Sequence, residues 1–134
     1  MPAIPGPNGK PLFTAPELAC RCGCRLLRLD SRFEEALTAL RLEFGEPMIV
    51  NSCCRCEQHN EAVGGHKHSL HVADYPVHAA QGTMAIDIRS TDVAYRWRLC
   101  RLAMKQGWSV GSAKTFLHLD RRIDLGMAPG EFPY

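Results

Sequence analysis

The sequence predicts an α+β fold in a single domain, with a small, mainly antiparallel sheet and flanking helices. Three observations carry this. The chain has 134 residues, which suits one domain with its own core. Helix-period and strand-like apolar segments are interspersed along it rather than grouped in blocks. Its last two strand-like segments, WSV and TFLHLD, are joined by a link too short for a crossover, so they pair antiparallel.

Residues 1–13, MPAIPGPNGKPLF, are rich in Pro and Gly and read as an extended, loosely held arm. They contain no apolar h-region, so they do not read as a secretory signal. The domain proper spans 14–134. Thr14 to Leu18 form a short helix, with Thr14 as N-cap and Glu17 completing a capping box. A longer helix starts near Asp30-Ser31. Ser31 and Glu34 fit a second capping box, and Phe33, Leu37, Leu40 and Phe44 recur at helical spacing until Gly45 stops it. PMIVNS is a buried strand. Glu57 to Val63 form a short helix closed by Gly64-Gly65. Ala85 to Ile88 are a second strand. Ser90 or Thr91 caps a long helix through Gln106, with Val93, Trp97, Cys100 and Met104 on one stripe. WSV and TFLHLD follow, joined through Gly111, and the tail GMAPGEFPY is turn-like.

Formal net charge is +2, which provides no electrostatic reason to expect a nucleic-acid or membrane partner. No run approaches the roughly 18 apolar residues that a membrane span needs. A monomer is expected.

The chemistry concentrates between Gly64 and Ile88, which holds four of the six histidines. Three metal-ligand candidates fall at element edges: His71, Asp87 in its strand and His118 in the last strand. Two imidazoles and a carboxylate suit Zn²⁺ with one position left open. Such a site polarises a carbonyl and yields a nucleophile near neutral pH. By residue type alone, each is more often an ordinary surface or core residue.

Taken together, FTAPELACRCGC, IVNSCCRCEQHNEAVGG, SLH, MAIDI and FLHLD resemble the zinc D-Ala-D-Ala carboxypeptidase family, in a branch frequent in phages and prophages. The resemblance covers nearly the whole chain. It implies the fold shared by that family, some phage endolysins and the hedgehog signalling domain. SLH matches the opening of the family's Ser-x-His…Asp motif, MAIDI its end, and FLHLD the strand supplying the last histidine. By that match His71, Asp87 and His118 hold zinc and the partner is a peptidoglycan peptide. The bond cleaved is that of a carboxypeptidase or of an endolysin-like endopeptidase. Arg55 matches the family's turn arginine, which can hold a substrate carboxylate or carbonyl through a bidentate fork. Ser69 can donate to a peptide oxygen. Both also have structural readings, an arginine over a helix end and a serine closing a turn. His66 and His68 read as exposed. Reaching a cell wall would require lysis, a holin or a phage particle.

Two departures from the family pattern stand out. His71 and Asp87 are 16 positions apart, wider than usual, and Thr83, beside Gly82, stands where a glycine would align. The segment from Val72 to Gln81 must loop out, at small extra entropic cost. It would bring Asp74, Tyr75 and His78 near the site mouth, with His78 read as solvated ahead of substitute ligand or substrate contact. The second departure is Thr115, which occupies the place where many relatives carry an acid. Asp120 lies two residues beyond His118 on the same strand face, so it is a candidate general base or a residue orienting a ligand. Its structural reading is a strand-end aspartate paired with Arg121 or Arg122.

Six of the seven cysteines form two groups, Cys20, Cys22, Cys24 and Cys53, Cys54, Cys56; Cys100 reads as a small buried hydrophobe. The spacing is not that of paired Cys-x-x-Cys knuckles. Alternate cysteines on an extended segment face one side, so the first group can lie against the second. Disulfides or buried thiols rank above a second zinc, and the group shapes the turn near Arg55. Two rival functions remain: a catalytically silent zinc-binding module or phage structural component of the same fold, and a cysteine-based metal or redox protein.

Overall fold

The computed structural model describes residues 2–74 and 79–134. It is a mixed α+β domain. The central sheet has five strands: β3 (Val50–Ser52), β4 (Ala85–Arg89), β5 (Ser109–Ser112), β6 (Phe116–Asp120) and β7 (Glu131–Pro133). Their order is β3-β4-β6-β5-β7. All pairings are antiparallel except that of β5 with β7. β4 and β6 are buried almost throughout, and their register sets Asp87 directly opposite His118.

The N-terminal arm is not loose. β1 (Pro2–Pro5) and β2 (Pro11–Thr14) pair as an antiparallel hairpin. Ile4 and Phe13 are each 1% exposed within the main core, and this burial holds the arm down. Helix α1 (Ala15–Leu18) follows with the predicted Thr14–Glu17 capping box.

Helix α2 (Ser31–Phe44) buries Phe33, Leu37 and Leu40 and ends at Gly45, whose φ of 70° is left-handed. Its N-cap is Asp30 rather than Ser31, because the Asp30 carboxylate accepts the Arg32 amide. The short helix α3 (Glu57–Ala62) starts after Cys56. Helix α4 (Val93–Lys105) is capped by Asp92, not by Ser90 or Thr91.

The expected stripe on α4 is a correction. Val93, Trp97 and Met104 are exposed, Trp97 at 60%, whereas Leu99 and Ala103 are buried and Tyr95 and Leu102 pack beside them. Two apolar stripes run along this helix, and the narrower residues face the sheet. The Arg101 guanidinium covers Trp97 on the solvent side, 5.2 Å from the ring centroid. Cys100 is half-buried beside Met104.

Gly111 lies inside β5, opposite His118, and the turn to β6 is made by residues 113–115. The tail is more than a turn: β7 adds to the sheet edge. A side chain at Gly111 would collide with Phe132, so this close approach requires glycine.

Candidate metal centre

His71, Asp87 and His118 arrive from three different places and meet in the interior. His71 is held by its backbone. The Arg55 amide donates to its carbonyl, and its own amide donates to Ser69 Oγ at 3.1 Å. The widened spacing to Asp87 is accommodated by closing the inserted loop at its base. Thr83 Oγ1 donates to the His71 carbonyl at 3.0 Å, and the Met84 amide donates to the Leu70 carbonyl. The position where a glycine was expected is thus a buried threonine hydroxyl that fixes the first histidine. Gly82, beside it, passes close to Arg28 and Asp30, where a Cβ would meet the Arg28 carbonyl oxygen at 2.8 Å. Asp87 and His118 face each other across β4 and β6.

The three candidate ligand atoms lie within 4.8 Å of one another, and all three residues are buried. His71 Nε2 is 3.1 Å and His118 Nδ1 is 3.0 Å from the same Asp87 oxygen, Oδ1. The other nitrogen of each ring is already engaged. His71 Nδ1 lies 2.7 Å from the Cys53 carbonyl, which only accepts, so Nδ1 carries the hydrogen. His118 Nε2 lies 2.9 Å from Asp120 Oδ2. Two lone pairs and a carboxylate oxygen therefore converge on one point, and a cation satisfies all three. Histidines anchored through their second nitrogen to a carbonyl or carboxylate are the usual support of a metal site, so the residues fit a metal ion.

The electrostatics agree. Burial pushes the His71 pKa down, which keeps the imidazole neutral and able to coordinate. Burial acts to raise the Asp87 pKa, but the neighbouring His118 and His71 rings outweigh it, so the net shift is downward and the group stays a carboxylate. For His118 burial acts downward, and bonds to Asp120 and Asp87 overcome it, so the net shift is upward. A cation at the centre takes the place of the proton those carboxylates draw onto the ring.

Arg55 is 8% exposed, with Nε on Ser52 Oγ at 3.0 Å, Nη1 on Asn60 Oδ1 at 3.1 Å and Nη2 on Asp87 Oδ2 at 3.4 Å. Asp120 has no exposed surface. Besides His118 it accepts the Arg122 amide and two guanidinium bonds, from Nε at 2.9 Å and Nη2 at 2.7 Å. Burial works to raise the Asp120 pKa, and the Arg122 and His118 bonds bring it down to about 2. Its partner is Arg122, while Arg121 pairs with Asp124.

A cleft of about 410 Å³ opens over the centre, walled by His66, His68, Ser69, Leu70, His118, Asp120, Arg122, Met127, Phe132 and Tyr134. His66 and His68 are exposed, as read from the sequence. Thr115 is exposed in the β5–β6 turn, where its carbonyl accepts the Ser90 amide. The Asp74 carboxylate accepts the Glu57 amide at the start of α3. Tyr75 and His78 lie outside the described residues.

The sequence reading missed Tyr134, Phe132, Asn60 and the Cys53 carbonyl. The signal for the first two was present: Phe132 and Tyr134 are two apart, the strand period, at the end of a tail read as turn. Asn60 and the Cys53 carbonyl carry no such signal.

An α+β domain with a buried His–Asp–His set under a cleft is the arrangement of a metal-dependent hydrolase. The family model described as Peptidase M15 matches residues 11–120, and the chain belongs to that family of metallopeptidases. Searches of curated proteins and of solved structures return no match.

Proposed function

We propose that the chain is a zinc-dependent peptidase that hydrolyses peptide bonds of peptidoglycan stems, as a D-Ala-D-Ala carboxypeptidase or an endolysin-like endopeptidase. The observation that carries this is the convergence of His71 Nε2, Asp87 Oδ1 and His118 Nδ1 beneath an open cleft in a peptidase M15 chain. Zinc held there supplies Lewis acidity toward a peptide carbonyl and makes water nucleophilic near neutral pH.

The chain's own residues do the positioning. Arg55 bonds Asp87 Oδ2 and leaves Oδ1 toward the two imidazoles. Asp120, tied to Arg122, fixes the tautomer and tilt of His118. A carboxylate held near pKa 2 is a weak base, which favours orienting over proton abstraction. Ser69 Oγ accepts the His71 amide, so its hydrogen remains available to a peptide oxygen in the cleft. His66, His68 and Arg122 add donors suited to peptide carbonyls and carboxylates, while Phe132 and Tyr134 form an apolar wall.

The competing reading is a catalytically silent zinc module of the same fold. Thr115 favours it, since that exposed turn residue offers no carboxylate to the cleft. Zinc-loaded protein incubated with muropeptides and D-Ala-D-Ala peptides, followed by mass spectrometry, separates the two. Cleavage that is abolished in His118→Ala supports the peptidase. Zinc bound at this centre without turnover on either substrate class establishes the silent module.

A further inference from the structure

A second cluster lies outside this centre. We propose that Cys20, Cys22, Cys24 and Cys56 hold a structural zinc ion as four thiolates, which pins the turn after α1 to the start of α3. The four Sγ atoms all lie within 4.8 Å of one another. Cys20 to Cys22 is 3.6 Å, Cys22 to Cys56 is 3.7 Å and Cys20 to Cys56 is 3.8 Å.

These separations discriminate between the chemistries. A disulfide brings two sulfurs to about 2.05 Å, and all seven cysteines here are free. Tetrahedral Zn–S bonds of about 2.3 Å place sulfurs about 3.8 Å apart along each edge. The three edges among Cys20, Cys22 and Cys56 match that figure. Two backbone amides donate to sulfurs of the group, Cys56 to Cys20 Sγ at 3.4 Å and His59 to Cys56 Sγ at 3.3 Å, as suits sulfurs carrying negative charge.

The surroundings point the same way. The segment is not extended, as the sequence suggested, but a tight turn over residues 21–24, with Gly23 at φ 98° and Arg25 at φ 61°. That curl, not strand alternation, gathers the three cysteines. Residues 21–25 are all exposed, so apolar burial does not hold this turn. Its visible fastenings are the Cys20 amide on the Leu26 carbonyl and the Arg21 guanidinium on the Glu17 and Val50 carbonyls. A tetrathiolate ion supplies the missing cross-link. Cys22 and Cys24 are exposed, which leaves the ion a route in. Cys53 and Cys54, by contrast, are buried in the core and take no part.

The site is structural because four protein ligands leave no open position. It has a consequence for the cleft. Cys56 directly follows Arg55 and precedes α3, whose Asn60 holds Arg55 Nη1. Tethering Cys56 therefore steadies the frame from which Arg55 reaches Asp87.

The test is metal counting with cobalt substitution on the purified chain. Two zinc ions per chain are expected by elemental analysis. His71→Ala/His118→Ala keeps one, and Cys22→Ser/Cys24→Ser, at exposed positions, also keeps one. Unmutated protein reconstituted with Co²⁺ should show intense sulfur-to-metal charge-transfer absorption in the near ultraviolet. That band persists in His71→Ala/His118→Ala and in Cys100→Ser. The Co²⁺ spectrum of the unmutated chain needs no substitution to fold, so it decides the matter alone. Absence of the band, a single zinc lost with the two histidines, or a disulfide among the four under reducing purification would overturn the proposal. The sulfur band reports on the four cysteines alone, because the ligands of the His–Asp–His centre give none, so its absence would leave the peptidase reading standing.

Discussion

The phenol ring of Tyr134 lies flat on the imidazole of His118, with centroids 4.3 Å apart and an interplanar angle of 11°. The contact exists because β7 pairs parallel with β5 and sets Gly111, opposite His118, beside Phe132. Tyr134 also meets Phe116 edge-on, with centroids 5.7 Å apart. It braces one face of a candidate ligand. Tyr134→Ala should retain zinc stoichiometry and lose about 1 kcal/mol of stability, the scale of such ring pairs. Tyr134→Phe should stay near the parent. Chemical denaturation beside metal analysis checks both, and loss of zinc in Tyr134→Phe would instead assign a role to the hydroxyl.

Asp120→Asn distinguishes an orienting carboxylate from a base. An orienting role predicts zinc affinity, activity or both weakened about 10–100-fold. A general base predicts unchanged zinc affinity with kcat reduced about 10²–10⁴-fold. Competition with a chelator measures the first quantity and steady-state kinetics the second. The bonds from Arg122 and His118 lead us to expect the first pattern.

As the substrate-holding arginine that the resemblance implies, Arg55 would on replacement by alanine damage substrate handling more than folding. Its three side-chain partners and 8% exposure change that expectation. Truncating one member of a buried ion pair costs about 3–5 kcal/mol because the other charge is left uncompensated. Arg55→Ala should therefore lower the thermal midpoint and loosen zinc as well as reduce kcat/KM. A variant with parental stability and zinc content but poor kcat/KM would return Arg55 to the role of substrate anchor.

Asp30 predicts an acid limit to stability. Its buried carboxylate accepts from the Arg32 amide and guanidinium and from the Gln81 amide, and so ties α2 to the end of the inserted loop. The Arg32 side chain does most to depress its pKa, to about 2. An unfolded aspartate titrates near 3.9, so the stabilisation is complete above about pH 4 and is lost as pH falls toward 2. Asp30→Asn should be less stable than the parent at pH 7 and lose less between pH 5 and pH 3. Denaturant midpoints at the three pH values test this, and parallel losses in the two proteins would assign the acid sensitivity elsewhere.

Much of the fold was legible because its signals are local. The Thr14–Glu17 capping box, the Phe33–Leu37–Leu40 stripe ending at Gly45, and the final antiparallel pair each depend on a few neighbouring residues. The stripe on α4 misled because Val93, Trp97 and Met104 share helical spacing with one another, and spacing does not say which of two apolar stripes meets the sheet. The loose arm misled because Ile4 and Phe13 gain their burial from residues far along the chain.

The candidate site divides in the same way. Residue chemistry and family motifs nominated His71, Asp87, His118, Arg55, Ser69 and Asp120 from the sequence alone. That His71 and Asp87 meet across 16 positions was decided by tertiary contacts, the Thr83 hydroxyl on the His71 carbonyl and the β4–β6 register. So was the choice of Arg122 over Arg121 as the Asp120 partner, and the gathering of four cysteines from two groups while Cys53 and Cys54 turned into the core. A sequence specifies which atoms can donate, accept or coordinate. Which of them come within about 3 Å is set by backbone curvature and strand register, and these follow from the packing of the whole chain.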